Sequence, residues 1–151
     1  MVALDLRMQA PRSPYATLLD LYMLPRTIDK ARAILAGTNG SYEMEGLSAV
    51  LLRELDIAAS DFFSICGTSS DAEIAVWISA RRLNINVEYI NARLFELTSE
   101  GDEFERLARD YYPWLRGRPL HRWMDIALND DEITFGENAG QQYVARVDDP
   151  S

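Results

Sequence analysis

The chain is short of the residues that familiar site chemistries need. It holds one cysteine, Cys66, one histidine, His121, and one lysine, Lys30. A lone cysteine forms no intramolecular disulfide and fits a reducing compartment, so a cytoplasmic location is expected. Single His and Cys residues, with no paired ligand motif, argue against a metal site of ordinary spacing; no metal and no cofactor are expected. A carboxylate-only magnesium site is open to Asp130, Asp131 and Glu132, although that run reads more simply as a solvated acidic end. A Cys66–His121 nucleophile pair is formally open too, against the simpler reading of Cys66 as a buried structural residue. There is no glycine-rich phosphate loop, since "AGTNG" (residues 36–40) follows a helical pattern where such a loop would precede one. No apolar run reaches signal-peptide or membrane-spanning length, which argues against a membrane.

What is present describes a globular protein. The 151 residues suffice for one domain with a real core, and the hydrophobic and charged fractions, 48% and 26%, are ordinary. The net charge of −9 opposes nonspecific binding to nucleic acid. "DYYPWLRGRPLHRW" mixes aromatics with Arg116, Arg118 and Arg122, as a base-stacking surface would. Its acidic surroundings favour aromatics packed on a core with arginines at the rim, and no nucleic-acid partner is expected. The charge is uneven. Residues 1–40 carry Arg7, Arg12, Arg26, Lys30 and Arg32 against Asp5, Asp20 and Asp29, a basic island in an acidic chain.

Helical periodicity dominates. Leu24, Ile28, Ala31 and Leu35 form one apolar stripe that ends at Gly37, a C-cap. Ser13-Pro14 reads as the start of a short helix over 14–23. "EGLSAVLLRELDI", "SDFFSIC", "SDAEIAVWISARR", "NVEYINARLFEL", "EGDEFERLARDYY" and "PLHRWMDIAL" each read as helical. Ser70 and Glu73 stand at capping-box spacing, and Asn86 is an N-cap. The expected fold class is mainly α, a single compact domain of about six short helices over residues 1–132. Its expected core contains Leu24, Ile28, Leu35, Ile74, Trp77, Ile78, Ile90, Leu94 and Leu107, with Tyr111 on a buried face. "EITFGENAGQQYVARV" alternates around a glycine loop, so residues 133–151 are expected to form a C-terminal β-hairpin or an arm packed on the helices.

The order of "PRSPY", "LPRTIDKARAILAGTNGSY", "SDAEIAVWI", "EYINARL" and "RWMDIALNDDE" resembles the family called domain of unknown function 5069, over residues 4–132. The "PRxIDKxRA" core carries most of the specificity. The resemblance implies a small, helical, cytoplasmic and mostly bacterial protein, and it brings no activity or catalytic residues. The chain departs from the family pattern at Leu19-Asp20, where a glycine pair is common. It departs again at "MEGLS", which replaces a cysteine-proline-leucine-aspartate run.

The candidate site is the opening helix. Arg26 and Lys30 stand at i, i+4 opposite the apolar stripe, a like-charge pair that is mildly unfavourable in an isolated helix. Three readings stay open. The charges face water and pair with acids such as Glu43 or Glu45; they anchor the extended N-terminal arm through backbone carbonyls; or they line an anion-binding cleft. In the last, Arg12, Arg26 and Arg32 bind a carboxylate or phosphate, and Asp29, Lys30, Tyr42 and Glu43 are the acid–base and nucleophile candidates. The expected function is then binding of an anionic small molecule in a basic cleft, with non-redox, metal- and cofactor-independent lyase, isomerase, cyclase or hydrolase chemistry within reach. The alternative is a non-enzymatic interaction or regulatory module, with a homodimer or a protein partner left open.

Overall fold

The computed structural model describes residues 3–136. Seven α-helices carry the described fold: α1 (Leu24–Ala36), α2 (Leu47–Glu54), α3 (Ala59–Thr68), α4 (Asp71–Arg81), α5 (Val87–Glu96), α6 (Gly101–Asp110) and α7 (Trp123–Phe135). A 310 turn over Pro113–Arg116 joins the last two. Local signals set several of these boundaries. Ser70 and Glu73 close a reciprocal capping box at the start of α4, with hydrogen bonds of 3.2 and 2.9 Å. Asn86 caps α5 by accepting from the Tyr89 amide at 3.0 Å. Gly37, at φ 73°, ends α1 in the left-handed conformation that glycine adopts without steric cost.

Before α1 the chain does not form the helix expected over 14–23. Thr17–Leu18 (β1) and Leu21–Tyr22 (β2) pair antiparallel as a two-stranded hairpin. Its turn residues, Leu19 and Asp20, have φ of 54° and 61°, both in the region that favours glycine. This explains why a glycine pair suits the position. Two-residue strands are too short to leave a periodic pattern, and the apolar residues that suggested a helix pack inward instead. The hairpin is held from outside: Asn91 of α5 accepts from the Tyr22 amide at 2.9 Å and donates to the Asp20 carbonyl at 2.8 Å.

Among the described residues the sheet element thus lies before α1. Residues 133–135 continue α7, and the rest of the expected C-terminal hairpin lies outside the described residues. The domain division at 132 therefore cuts through a helix.

Two apolar clusters hold the helices together. The larger joins α1 to α5 and reaches Met124 of α7. It contains Leu24, Ile28, Phe62, Cys66, Ile74, Ile78, Ile90 and Leu94, with Trp77 half-buried against it. The smaller contains Leu107, Ala108, Leu115 and Ile126, flanked by Tyr112, Trp114 and Trp123. Two assignments to the core fail. Leu35 is 54% exposed, because it sits over Gly67 at the edge of the α1–α3 contact. Tyr111 is 63% exposed, because α6 ends at Asp110 and the next residue leaves the helical face.

Helix α1 is central, with its polar side covered as well as its apolar one. Its buried residues include Arg26, Thr27, Asp29 and Lys30 as well as Leu24, Ile28 and Ala31 of the apolar stripe. Thr27 shares a 2.9 Å hydrogen bond with Ser48 of α2, a polar contact inside the α1–α2 packing.

The hairpin turn supplies a direct test of backbone strain. Asp20 is exposed and uses its backbone carbonyl toward Asn91, which glycine retains. Asp20→Gly is expected to stabilise the protein by a few tenths to about 1 kcal/mol, and Asp20→Val to destabilise it by about 1 kcal/mol or more. Urea midpoints of the two variants check this; equal midpoints would contradict it.

Candidate functional site

The polar residues of α1 divide into two networks. On one side, Arg12 of the N-terminal arm is spanned by two carboxylates. It donates to Asp29 through its backbone amide at 2.8 Å and its guanidinium at 3.0 Å, and to Asp71 at 2.6 Å. Arg32 also reaches Asp71, at 3.0 Å, and donates to the Ser69 carbonyl at 2.9 Å. Burial opposes ionisation of Asp71, but Arg12 and then Arg32 hold its carboxyl below the usual range. This cluster ties the arm, α1 and the start of α4 together.

On the other side, Arg26 meets Asp131 of α7 at 2.7 Å, with the two residues 4% and 1% exposed. Arg26 also donates to the Arg12 carbonyl at 3.3 Å, so it anchors the arm as well. The Tyr42 hydroxyl donates to the other Asp131 oxygen at 2.5 Å, and the guanidinium stands 5.6 Å from the Tyr42 ring centroid. Burial, reinforced by the Asp131 charge, pushes the Tyr42 phenol well above its ordinary value. The phenol keeps its proton, directed at Asp131.

Beside this pair opens a cleft of about 650 Å³, at the seam between the two apolar clusters. Its lining includes Arg26, Lys30, Tyr42, Asp130 and Asp131, with the exposed Glu43 and Glu45 at the rim. Tyr111, Tyr112 and Trp123 supply an aromatic wall.

Lys30 is the distinctive member. It is 6% exposed and, among the described residues, makes no hydrogen bond or ion pair. Burial, then the neighbouring Arg26 charge, pushes its amine down to about 7, against the weaker opposing pull of Asp131 and Glu43. Asp130 moves the other way. Burial and the adjacent Asp131 raise its carboxyl, so acid and base values converge within one cleft.

Of the residues singled out from sequence, Lys30, Tyr42, Glu43 and Arg26 line the cleft. Arg12, Asp29 and Arg32 do not line it; they belong to the Asp71 network. The three arginines therefore do not converge on one anion. The solvated-face reading also fails, because Arg26, Asp29 and Lys30 are buried. Asp130 and Asp131 are not a solvated acidic end: the first is half-buried and the second is the counter-ion of Arg26. No local signal marks Asp131 as that partner, since 105 residues separate the two. Cys66 is fully buried, with its thiol pushed up to about 12, an inert state. Among the described residues, no group of three His, Cys, Asp or Glu side chains is placed to hold a metal ion, and no helix is long and apolar enough to cross a membrane.

Fold and site together define a small helical protein with a mixed-charge, aromatic-walled cleft above a buried ion pair. A family model described as Domain of unknown function (DUF5069) matches residues 8–132, and the chain belongs to that family. No curated protein matches the chain.

The networks make separable predictions. Arg26→Met removes the guanidinium that offsets a buried carboxylate, and a loss of about 3–5 kcal/mol in stability is expected. Tyr42→Phe is expected to cost about 1–2 kcal/mol. Denaturant titration checks both, and an unchanged Arg26→Met midpoint would contradict the assignment.

Lys30 makes a prediction in pH. Burial and the Arg26 charge push its amine from the 10.5 of an unshielded lysine down to about 7 in the folded protein. Between these values the unfolded chain binds the extra proton, so stability rises with pH; below about 7 the full penalty of the buried charge is present. Cys66, with its raised thiol, opposes this above its ordinary value of 9.0, and the raised phenols of Tyr15 and Tyr42 above 10.0, but parent and Lys30 variant share these groups. From about pH 7 to about pH 9.5 the parent should gain stability relative to Lys30→Met, by up to about 1.3 kcal/mol per pH unit. Parallel profiles would contradict it.

Proposed function

We propose that this cleft binds a small anionic molecule, a carboxylate or phosphate compound, and that the protein is a metal- and cofactor-independent enzyme of the lyase, isomerase or cyclase type. The observation that carries this reading is the buried Lys30 ammonium, which has no hydrogen-bond or ion-pair partner among the described residues and lines a cleft large enough for a metabolite. Arg26 is already neutralised by Asp131, so Lys30 is the cation on the floor left to meet an incoming anion. A bound carboxylate or phosphate offsets both its desolvation and its repulsion by Arg26, and the amine takes up a proton as the ligand enters.

This narrows the roles assigned from sequence. Lys30 is the proton-exchanging or nucleophilic group, Glu43 at the rim and half-buried Asp130 are further acid–base candidates, and Tyr42 positions Asp131. Arg12, Asp29 and Arg32 are structural. The alternative, an interaction module, has in its favour a neighbouring apolar groove of about 430 Å³ lined by Leu47, Val50, Leu97 and Trp123. Trp114 and Trp123 pack against the second core, however, and do not form an exposed patch.

Melting curves with propionate, citrate and inorganic phosphate test the reading. A bound anion stabilises by about 2.7 kcal/mol at a hundredfold excess over its dissociation constant. At least one of the three is expected to raise the melting temperature of the parent, and the shift should vanish in Lys30→Met. No shift with any of them, or equal shifts in both proteins, would contradict it.

A further inference from the structure

We propose that Lys30 forms a covalent imine with a small 2-oxo acid bound in the cleft. The inference rests on the small-anion reading above and adds a reaction to it. Three features support it. The amine is buried, yet it lines an open cleft and no described residue holds it in a hydrogen bond or ion pair. Its depressed basicity leaves a large share as free amine near neutral pH, the form that attacks a carbonyl. Finally, the site selects among carbonyl compounds by charge. A protonated imine restores a positive nitrogen beside Arg26, and a carboxylate on the adjacent carbon offsets that repulsion where a simple ketone cannot.

The step balances without oxidant or reductant. The Lys30 nitrogen lone pair attacks the carbonyl carbon, forming the C–N bond as the π pair moves to oxygen. A proton passes from nitrogen to that oxygen, giving a carbinolamine. The nitrogen lone pair then expels the oxygen, which takes one further proton from the medium and leaves as water. The product is a protonated imine, whose positive nitrogen withdraws electrons from the neighbouring carbon. That polarisation is what a lyase or isomerase acting beside a carbonyl requires.

Lys30 is the sole lysine among the 151 residues, so its side chain and the α-amino group are the two amines to distinguish. The full-length protein is treated with pyruvate and sodium cyanoborohydride near pH 7, then mapped by peptide mass spectrometry. A carboxyethyl group is expected on the Lys30 peptide. Its rate should saturate with pyruvate concentration and exceed the rate at Lys30 in the urea-unfolded chain by about tenfold or more, since unfolding restores an ordinary lysine. Acetone, which lacks the carboxylate, should label Lys30 far less. Lys30→Arg, which keeps the charge, should give no label at this position.

Absence of label on Lys30, or labelling no faster in the folded than in the unfolded protein, overturns the proposal. This comparison needs no variant, so it stands even where Lys30→Arg fails to fold. Equal labelling by acetone overturns the 2-oxo acid selectivity. If propionate and pyruvate stabilise the protein alike and Lys30 stays unlabelled, the imine is refuted and the anion site survives. If neither compound stabilises and no label forms, both readings fall.

Discussion

A guanidinium and a carboxylate facing each other in the protein interior set the terms for the rest of this structure. Arg26 and Asp131 are almost completely removed from water, and a buried ion pair is tolerated only when its remaining polar atoms are also satisfied. Asp131 accepts from Tyr42 as well, and Arg26 reaches the Arg12 carbonyl. One contact therefore joins α1, the segment after it, the N-terminal arm and α7. Such a pair adds little net stability over apolar packing of the same volume, but it specifies which helix faces which. The cleft exists because α7 is held against α1 at this point while the smaller apolar cluster keeps its own packing.

Lys30 sits one helical turn from Arg26 and inherits the consequences. A second ammonium in the same low-dielectric region is disfavoured by burial and by its neighbour, and the acids that offset it in part, Asp131 and Glu43, do not reach it as hydrogen-bond partners. A protein selected only for stability would place a methionine or leucine there. An uncompensated group of this kind is more often met at functional sites, where local stability is given up for reactivity. The Arg12–Asp29–Asp71–Arg32 network has the opposite character, since each charge in it meets an opposite one and the cluster reads as structural.

Much of the helical framework was legible because its signals are local. The Ser70–Glu73 box, the Asn86 cap and the Gly37 terminus each lie within four residues of what they determine. The apolar positions of α4 and α5 repeat with the helical period. The central role of α1 was not legible. Its polar residues look like a solvated face until distant carboxylates arrive: Asp131 lies 105 positions from Arg26, and Asp71 lies 59 from Arg12. The hairpin at Thr17–Tyr22 escaped because each strand is two residues long and its turn uses Leu and Asp where glycines would announce it. The candidate site was legible in half: Lys30, Arg26, Tyr42 and Glu43 stand close in sequence, whereas Asp130, Tyr111, Tyr112 and Trp123 are brought by the fold.

The proposed chemistry turns on the state of one amine, and the sequence makes that amine simple to observe. Protein grown with 13Cε-labelled lysine carries a single labelled side chain, so its NMR signal can be followed through a pH titration without assignment. A midpoint near 7 is predicted, moving upward when a carboxylate such as propionate is added. A midpoint near the 10.5 of an unshielded lysine, indifferent to added anions, would contradict it.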